Sequence, residues 1–164
     1  MGQQEKVDKE FVKMIQENEG IIYKVASFYV DAEHPLGDLY QEIVLNLWKG
    51  YASFRGESKF STWIYRIALN TCVSFYRRKK VSTSYMETLP EIGDIVDHKD
   101  ERIQELYRLI NKLGNIEKAL VLLYLDDKPY KEIAEITGIS VTNVATKLSR
   151  IKEKLREMSN NNEE

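Results

Sequence analysis

Cysteine is almost absent from this 164-residue chain, in which Cys72 is the only one. An intramolecular disulfide is therefore impossible. No apolar run approaches the roughly 20 residues that a membrane-spanning helix needs. Residues 1–6 also lack the basic start and apolar stretch of a secretory signal. We therefore expect a cytoplasmic protein without membrane insertion, because a reducing compartment is the simplest setting for such a chain.

Histidine, a common catalytic residue, is also scarce. Histidine occurs twice, as His34 and His98. The sequence shows no glycine-rich phosphate loop, no nucleophile beside a partner base and no group of residues with metal-ligand spacing. It therefore predicts that the protein is not an enzyme and that it has no cofactor and no metal site.

A net excess of positive charge occurs in only two parts of the chain, whose overall net charge is −2. Residues 55–80 hold seven basic residues and one acidic residue, and a second excess of basic residues falls within 147–156. The segments 1–54 and 81–138 are both acidic overall. Two basic segments in an acidic chain indicate two separate surfaces that face phosphates. The acidic remainder disfavours indiscriminate binding to DNA.

Apolar residues recur at helical spacing through almost the whole sequence, and no strand-like alternation is visible. We predict an all-α fold of two small helical domains, residues 1–80 and residues 100–164. A flexible acidic linker is predicted over residues 81–99, where no helical period is sustained. In the first domain, Gly20 is expected to end the first helix and Ser61 to cap the fourth.

The segment 129–156 has the pattern of a helix-turn-helix. Gly138 suits the left-handed position that ends a first helix, and Ser140 suits the cap of a second. A buried stripe is predicted at Val144, Leu148, Ile151 and Leu155. The opposite face carries hydrogen-bonding and cationic side chains, which in this motif enter the major groove. These candidate readers of duplex DNA are Thr142, Asn143, Thr146, Lys147 and Arg150.

Aromatic and cationic residues are interleaved in the segment 54–80, beside a loop that contains Gly56. Aromatic rings stack on exposed bases while Arg and Lys follow the backbone, so this composition suits single-stranded nucleic acid. The same residues could also serve only the stability of the fold. Trp63 and Phe75 lie near the apolar stripe and are predicted to be core residues. The cations of 77–80 close a helix C-terminus, which positive charge stabilises in any protein.

These segments together resemble the sigma-70 family of bacterial RNA polymerase sigma factors, and within it the small extracytoplasmic-function (ECF) group. The stretches Asp38–Ile43, Leu47–Trp48, Phe54–Glu57 and Phe60–Asn70 look like region 2 of these factors. The stretch Leu106–Leu155 looks like region 4. The resemblance covers both predicted domains in the right order.

The resemblance implies a transcription initiation factor that binds core RNA polymerase and directs it to promoter DNA. The residues implied to dock on the polymerase are Asp38, Leu39, Gln41, Glu42 and Leu45. Those implied to melt and read the minus-10 element are Ser58, Lys59, Phe60, Ser61, Thr62, Trp63, Tyr65, Arg66, Asn70, Arg77 and Arg78. The helix-turn-helix would read the minus-35 element, and an anti-sigma factor is implied as a further partner.

Two other kinds of protein remain open from the sequence. A conventional helix-turn-helix regulator would bind specific duplex DNA by itself, without acting as a polymerase subunit. A helical adaptor would contact no DNA, but it leaves the two basic segments unexplained. A sigma factor, in contrast, predicts weak DNA binding by the free protein and strong binding to polymerase.

Overall fold

The helical periodicity of the sequence is realised as eight α-helices in a computed structural model that describes residues 2–82 and 100–162. Of residues 76–82 and 162 only the backbone is described. No strand occurs within these ranges. The helices are α1 (Gly2–Glu17), α2 (Glu19–Tyr29), α3 (Leu36–Tyr51), α4 (Phe60–Ser82), α5 (Glu101–Asn111), α6 (Asn115–Leu125), α7 (Tyr130–Thr137) and α8 (Val141–Asn162). The all-α prediction is confirmed.

The first half is a bundle in which α2, α3 and α4 pack against one another. Each of these helices buries an apolar stripe, which removes its hydrocarbon surface from water. The stripe of α3, for example, consists of Leu39, Ile43 and Leu47. Helix α1 lies on the outside of this bundle and buries only Phe11 and Met14. The ring of Phe11 fixes it there through edge contacts with Trp48 and Tyr51 of α3.

The second half is built around α6, which is apolar on nearly every side. Its residues 118–123 are all buried, as expected for a helix surrounded by others. Helices α5, α7 and α8 pack around it. The predicted stripe of α8 is confirmed at Val144, Leu148 and Ile151, which are at most 2% exposed.

The two halves are packed against each other rather than separate. Helix α4 contacts α6 and α7, α2 contacts α6, and the buried residues of both halves form one continuous core. The predicted linker, 81–99, lies outside the described residues, except that 81 and 82 extend α4 past the boundary expected at residue 80. Among the described residues, no helix is long and apolar enough to span a membrane.

Two predicted helix ends are wrong. Gly20 does not end the first helix but lies in the first turn of α2. The break falls at Asn18, whose side-chain amide donates to the Met14 carbonyl at 2.8 Å and so satisfies the end of α1. Ser61 is not a cap, because α4 already begins at Phe60. The Lys59 carbonyl accepts from the Trp63 N–H there at 3.1 Å.

Gly20 lies inside a helix, whereas Gly138 lies in the turn after α7, and glycine-to-alanine changes at these two positions should have opposite effects on stability. Gly20→Ala should leave stability unchanged or raise it by up to about 1 kcal/mol, because alanine favours helix. A Cβ at Gly20 would meet nothing within 4 Å. Gly138→Ala should lower stability by roughly 1–2 kcal/mol, because it forces a Cβ into the left-handed conformation at φ 78°. Urea unfolding followed by circular dichroism measures both, and a destabilised Gly20→Ala variant would contradict the helical assignment of that residue.

Candidate nucleic-acid interface

The helix-turn-helix has the local geometry that the sequence predicts. Gly138 adopts the left-handed conformation after α7, and its N–H donates to the Ala134 carbonyl at 2.9 Å. The Ser140 hydroxyl accepts from the Asn143 backbone N–H at 3.2 Å, which caps the start of α8. The turn and the cap together fix the angle at which α8 leaves α7.

The face of α8 opposite its buried stripe is exposed, as the sequence predicts. All five candidate readers lie on this face, and the Thr146 hydroxyl donates to the Thr142 carbonyl at 3.0 Å. Three cations further along α8 bind groups of the same chain instead. Lys152 lies 4.2 Å from the centre of the Tyr124 ring, and Lys154 pairs with Glu117 at 3.2 Å. Arg156 pairs with Glu153 within α8 at 2.9 Å.

A cluster of aromatic rings marks the start of α4. The centroid of Phe54 lies 4.9 Å from that of Phe60 and 5.0 Å from that of Trp63. Beside it opens a cavity of about 430 Å³, lined by Trp63, Arg66 and residues of the α3–α4 loop. This volume falls in the range of about 300–1,000 Å³ typical of small-molecule sites. The cavity therefore has room for a single planar ring system.

The structure brings the predicted minus-10 residues together on one side of α4 and the loop before it, but it buries several of them. Thr62 and Tyr65 are each 1% exposed and Trp63 is 8% exposed. Half-buried side chains are Ser58, Phe60, Ser61 and Arg66, and exposed ones are Lys59 and Asn70. The side chains of Arg77 and Arg78 lie outside the described residues. The prediction that Trp63 is a core residue is confirmed, while Phe75 is only half-buried.

Three of these side chains are bound by the second half of the chain. The Thr62 hydroxyl donates to Glu132 Oε1 at 3.2 Å, and the Tyr65 hydroxyl donates to the carboxylate of Asp126. Arg66 Nη2 donates to the Glu135 backbone carbonyl at 2.8 Å. Sequence reasoning missed these partners, although the acidic character of residues 81–138 was the available signal.

Asp126 holds two donors at once. Its Oδ1 lies 2.6 Å from Lys24 Nζ of α2, and its Oδ2 accepts from Tyr65 of α4. Burial alone would raise the pKa of the Asp126 carboxyl, but the hydrogen bonds from Lys24 and Tyr65, with the charges of Lys24 and Lys128, hold that pKa below its ordinary value. Burial, followed by the hydrogen bond to Asp126, raises the pKa of Tyr65 well above its ordinary value. Both groups therefore keep their hydrogen-bonded forms near neutral pH.

The residues predicted to dock on a polymerase all lie within α3. Asp38, Gln41 and Leu45 are exposed, Glu42 is half-buried, and Leu45 keeps 44% of its surface in water. Leu39 differs from them, because it is 1% exposed and packs in the core. Trp48, one turn after Leu45 and 38% exposed, extends the apolar part of this surface.

A second cavity, of about 380 Å³, lies between α3 and α4. Glu42 and Lys49 of α3 line it together with Asn70 and Ser74 of α4. Two candidate sets therefore meet at one cleft, since Glu42 belongs to the predicted docking surface and Asn70 to the predicted minus-10 surface.

Comparisons with known proteins match both halves. The family model for Sigma-70 region 2 matches residues 14–81, and the model for Sigma-70, region 4 matches residues 103–155. The RNA polymerase sigma factor YlaC of Bacillus subtilis is 33% identical over 129 residues, covering 73% of this chain and 74% of YlaC. The ECF RNA polymerase sigma factor SigW of the same organism is 29% identical over 153 residues, covering 82% of this chain and 81% of SigW.

A solved structure shares the fold. The sigma factor RpoE of Bartonella quintana, in complex with the anti-sigma factor NepR, superimposes with a TM-score of 0.68 at 17% sequence identity. The match covers 93% of this chain and 96% of that chain. At this identity the likeness concerns the arrangement of helices and not the individual contacts.

Proposed function

This chain belongs to the ECF group of the sigma-70 family, and from that premise we propose how the surfaces of α3, α4 and α8 divide the work of transcription initiation. Helix α3 docks on core RNA polymerase, the start of α4 opens and reads the minus-10 element, and α8 reads the minus-35 element. The observation that carries this division is the exposed polar and cationic face of α8, placed by the Gly138 turn and the Ser140 cap. The protein acts in the cytoplasm, where it meets polymerase and promoter DNA.

Docking on polymerase uses the exposed part of α3. Asp38 and Gln41 supply polar contacts beside the apolar surface of Leu45 and Trp48. Apolar residues inside a polar rim are typical of protein interfaces. Leu39 serves this surface indirectly, because its burial fixes the position of α3. A conventional helix-turn-helix regulator would leave this surface without a role.

Changing Leu45 to Asp should abolish promoter-directed transcription because it places a charge in the centre of the docking surface. Purified core polymerase and a library of host promoters provide the assay, and the wild-type protein is expected to produce specific transcripts that core polymerase alone does not. The Leu45→Asp variant should bind core roughly thirtyfold more weakly, as for a hot-spot loss of about 2 kcal/mol.

The matched control is Val12→Asp, the same kind of change at a residue of α1 that is 52% exposed and lies outside the docking surface. It should retain both core binding and transcription. Absence of transcripts and of core binding for the wild-type protein, together with tight binding to one duplex, would instead identify a conventional regulator.

Reading of the minus-35 element is assigned to the five exposed residues of α8. Thr142, Asn143 and Lys147 are the best candidates for base edges, because they are exposed in the first two turns of α8, the end that enters the major groove in this motif. Amide side chains pair with adenine and cations with guanine there. Lys154 is not assigned to DNA, since it is paired with Glu117.

Asn143→Ala and Lys147→Ala should each change the preferred upstream sequence, at a cost of about 1–3 kcal/mol for the original base pair. Selection of transcribed promoters from a randomised minus-35 library measures the change. Lys154→Ala is the matched control and should keep the wild-type preference. A uniform loss of affinity across all sequences in the Lys147→Ala variant would assign that side chain to phosphate contact instead.

Opening of the minus-10 element is assigned to α4 and the loop before it. A base that leaves the stack would enter the cavity beside Phe54 and Trp63, where aromatic contacts offset an unstacking cost of a few kcal/mol. Lys59, Arg66, Arg77 and Arg78 would follow the phosphates. Asn70 is exposed about two turns further along α4, where it would extend the surface that contacts the DNA strand.

The division into units is also proposed from the sequence. We assign residues 1–80 to polymerase binding and the minus-10 element, residues 100–164 to the minus-35 element, and residues 81–99 to the linker between them. The two family-model matches support this, since they end and begin close to these limits.

An anti-sigma factor is the proposed inhibitor of this chain. The support is the fold shared with RpoE, which is held by NepR in the solved complex. Affinity purification of a tagged chain from its host, before and after stress, tests the proposal by mass spectrometry. A dedicated protein should co-purify before induction and be replaced by polymerase afterwards. Recovery of polymerase alone under both conditions would refute it.

A further inference from the structure

Helix α8 begins with an apolar side chain that the packing of the helix does not explain. Val141 is the first residue of α8, and 47% of its surface is exposed, whereas the buried stripe of this helix is at most 2% exposed. Valine also has a lower helix propensity than alanine. Neither burial in the core nor a preference for helix therefore accounts for a valine at this position.

A second exposed apolar side chain lies one turn further along the helix. Ala145 is exposed and follows Val141 by four residues, so the two lie on the same side of α8, about 6 Å apart along its axis. Ala145 also lines an open cleft of about 280 Å³ between α7 and α8, together with Tyr130 and Ser149. Val141 and Ala145 thus form a short, accessible apolar ridge beside the polar residues that are proposed to read the minus-35 element.

The polar candidates beside this ridge suit bases other than thymine. The amide of Asn143 suits adenine, and the cations of Lys147 and Arg150 suit guanine. The Thr146 hydroxyl already donates to the Thr142 carbonyl at 3.0 Å. In the major groove thymine is distinguished by its C5 methyl group, which apolar side chains contact. The ridge supplies an apolar surface for that methyl group, which the amide and the cations do not.

The ridge lies at the end of α8 that enters the major groove in this motif. Val141 directly follows Ser140, whose hydroxyl accepts from the Asn143 backbone N–H at 3.2 Å. This cap and the turn at Gly138 fix the direction of the first turn of α8. At 3.4 Å per base pair, a ridge of about 6 Å spans roughly two base pairs. It can therefore meet one thymine or two neighbouring ones.

We propose that Val141, with Ala145 beside it, contacts the C5 methyl group of a thymine in the minus-35 element and so selects thymine at that place on one strand. The proposal rests on the assignment of α8 to the minus-35 element and adds a base preference to it. Cytosine has no such methyl group, and adenine and guanine present polar groups in the major groove. The contact therefore distinguishes thymine from each of the other three bases.

Deoxyuridine provides the test, because it lacks the C5 methyl group of thymidine but keeps the same hydrogen-bonding groups. The minus-35 element comes from the selection with the randomised library, and each of its thymidines, on either strand, is replaced singly. The dissociation constant of the complex of core polymerase with the full chain is measured for each promoter duplex at one fixed salt concentration. For the wild-type chain, one replacement or two neighbouring ones should weaken binding about fourfold, which corresponds to about 0.8 kcal/mol for one buried carbon group.

The variant Val141→Ala should lose this sensitivity at one of these positions, because it shortens the side chain that meets the methyl group. Thymidine and deoxyuridine promoters should then bind with a ratio of about one, as in a double-mutant cycle whose contact is already lost. Val141 is exposed and alanine favours helix, so the variant should keep its fold, which circular dichroism checks. The matched control is Val12→Ala, the same change at a valine of α1 that is 52% exposed, and it should keep the wild-type ratio.

Equal binding of every deoxyuridine promoter by the wild-type chain overturns the proposal, as does a selected minus-35 element without any A·T pair. A wild-type ratio that persists in Val141→Ala also overturns it and assigns the methyl contact to another residue, such as Thr142. These outcomes leave the proposed function intact when Asn143→Ala and Lys147→Ala still change the upstream preference. An unchanged preference in those two variants as well contradicts the assignment of α8 to the minus-35 element.

Discussion

Helix α4 has to be buried on two sides, and most of the molecule is arranged around that requirement. One side carries Ile64, Ala68 and Cys72, all fully buried in the bundle with α2 and α3. Tyr65 lies on the side that meets α6 and α7, where its ring is buried and its hydroxyl needs a partner. Asp126 is that partner, so the polar contact satisfies a group that the packing has already removed from water.

The local elements of the candidate site could be predicted from the sequence because their signals are local. Gly138, Ser140 and the stripe from Val144 to Ile151 each act within a few residues, and the structure places each as predicted. Helix ends were less predictable where the free backbone groups of the helix end were satisfied by a residue other than the expected one. Asn18 did so at the end of α1, and the start of α4 at Phe60 left Ser61 inside the helix.

The contact between the halves could not be predicted in the same way. Tyr65 and Asp126 are 61 residues apart, and Lys24 and Asp126 are 102 apart. Their pairing depends on how two helical units dock, which no local period encodes. Hydrophobic pattern indicated that Trp63 is buried, but nothing short of the docked structure distinguishes Thr62 from Ser61 as the donor that Glu132 binds. The separation of acidic and basic segments along the chain was the one general indication that the two halves attract each other.

The acceptors that cover α4 belong to the same polypeptide as the donors they bind. Their local concentration is set by chain geometry and does not change when the protein is diluted. An inhibitor on a separate chain loses occupancy as the concentrations of both proteins fall. Occupation of α4 by its own chain is the same in a cell that holds ten copies as in one that holds thousands. The contact between the halves therefore contributes the same free energy to the folded chain at every concentration of the protein.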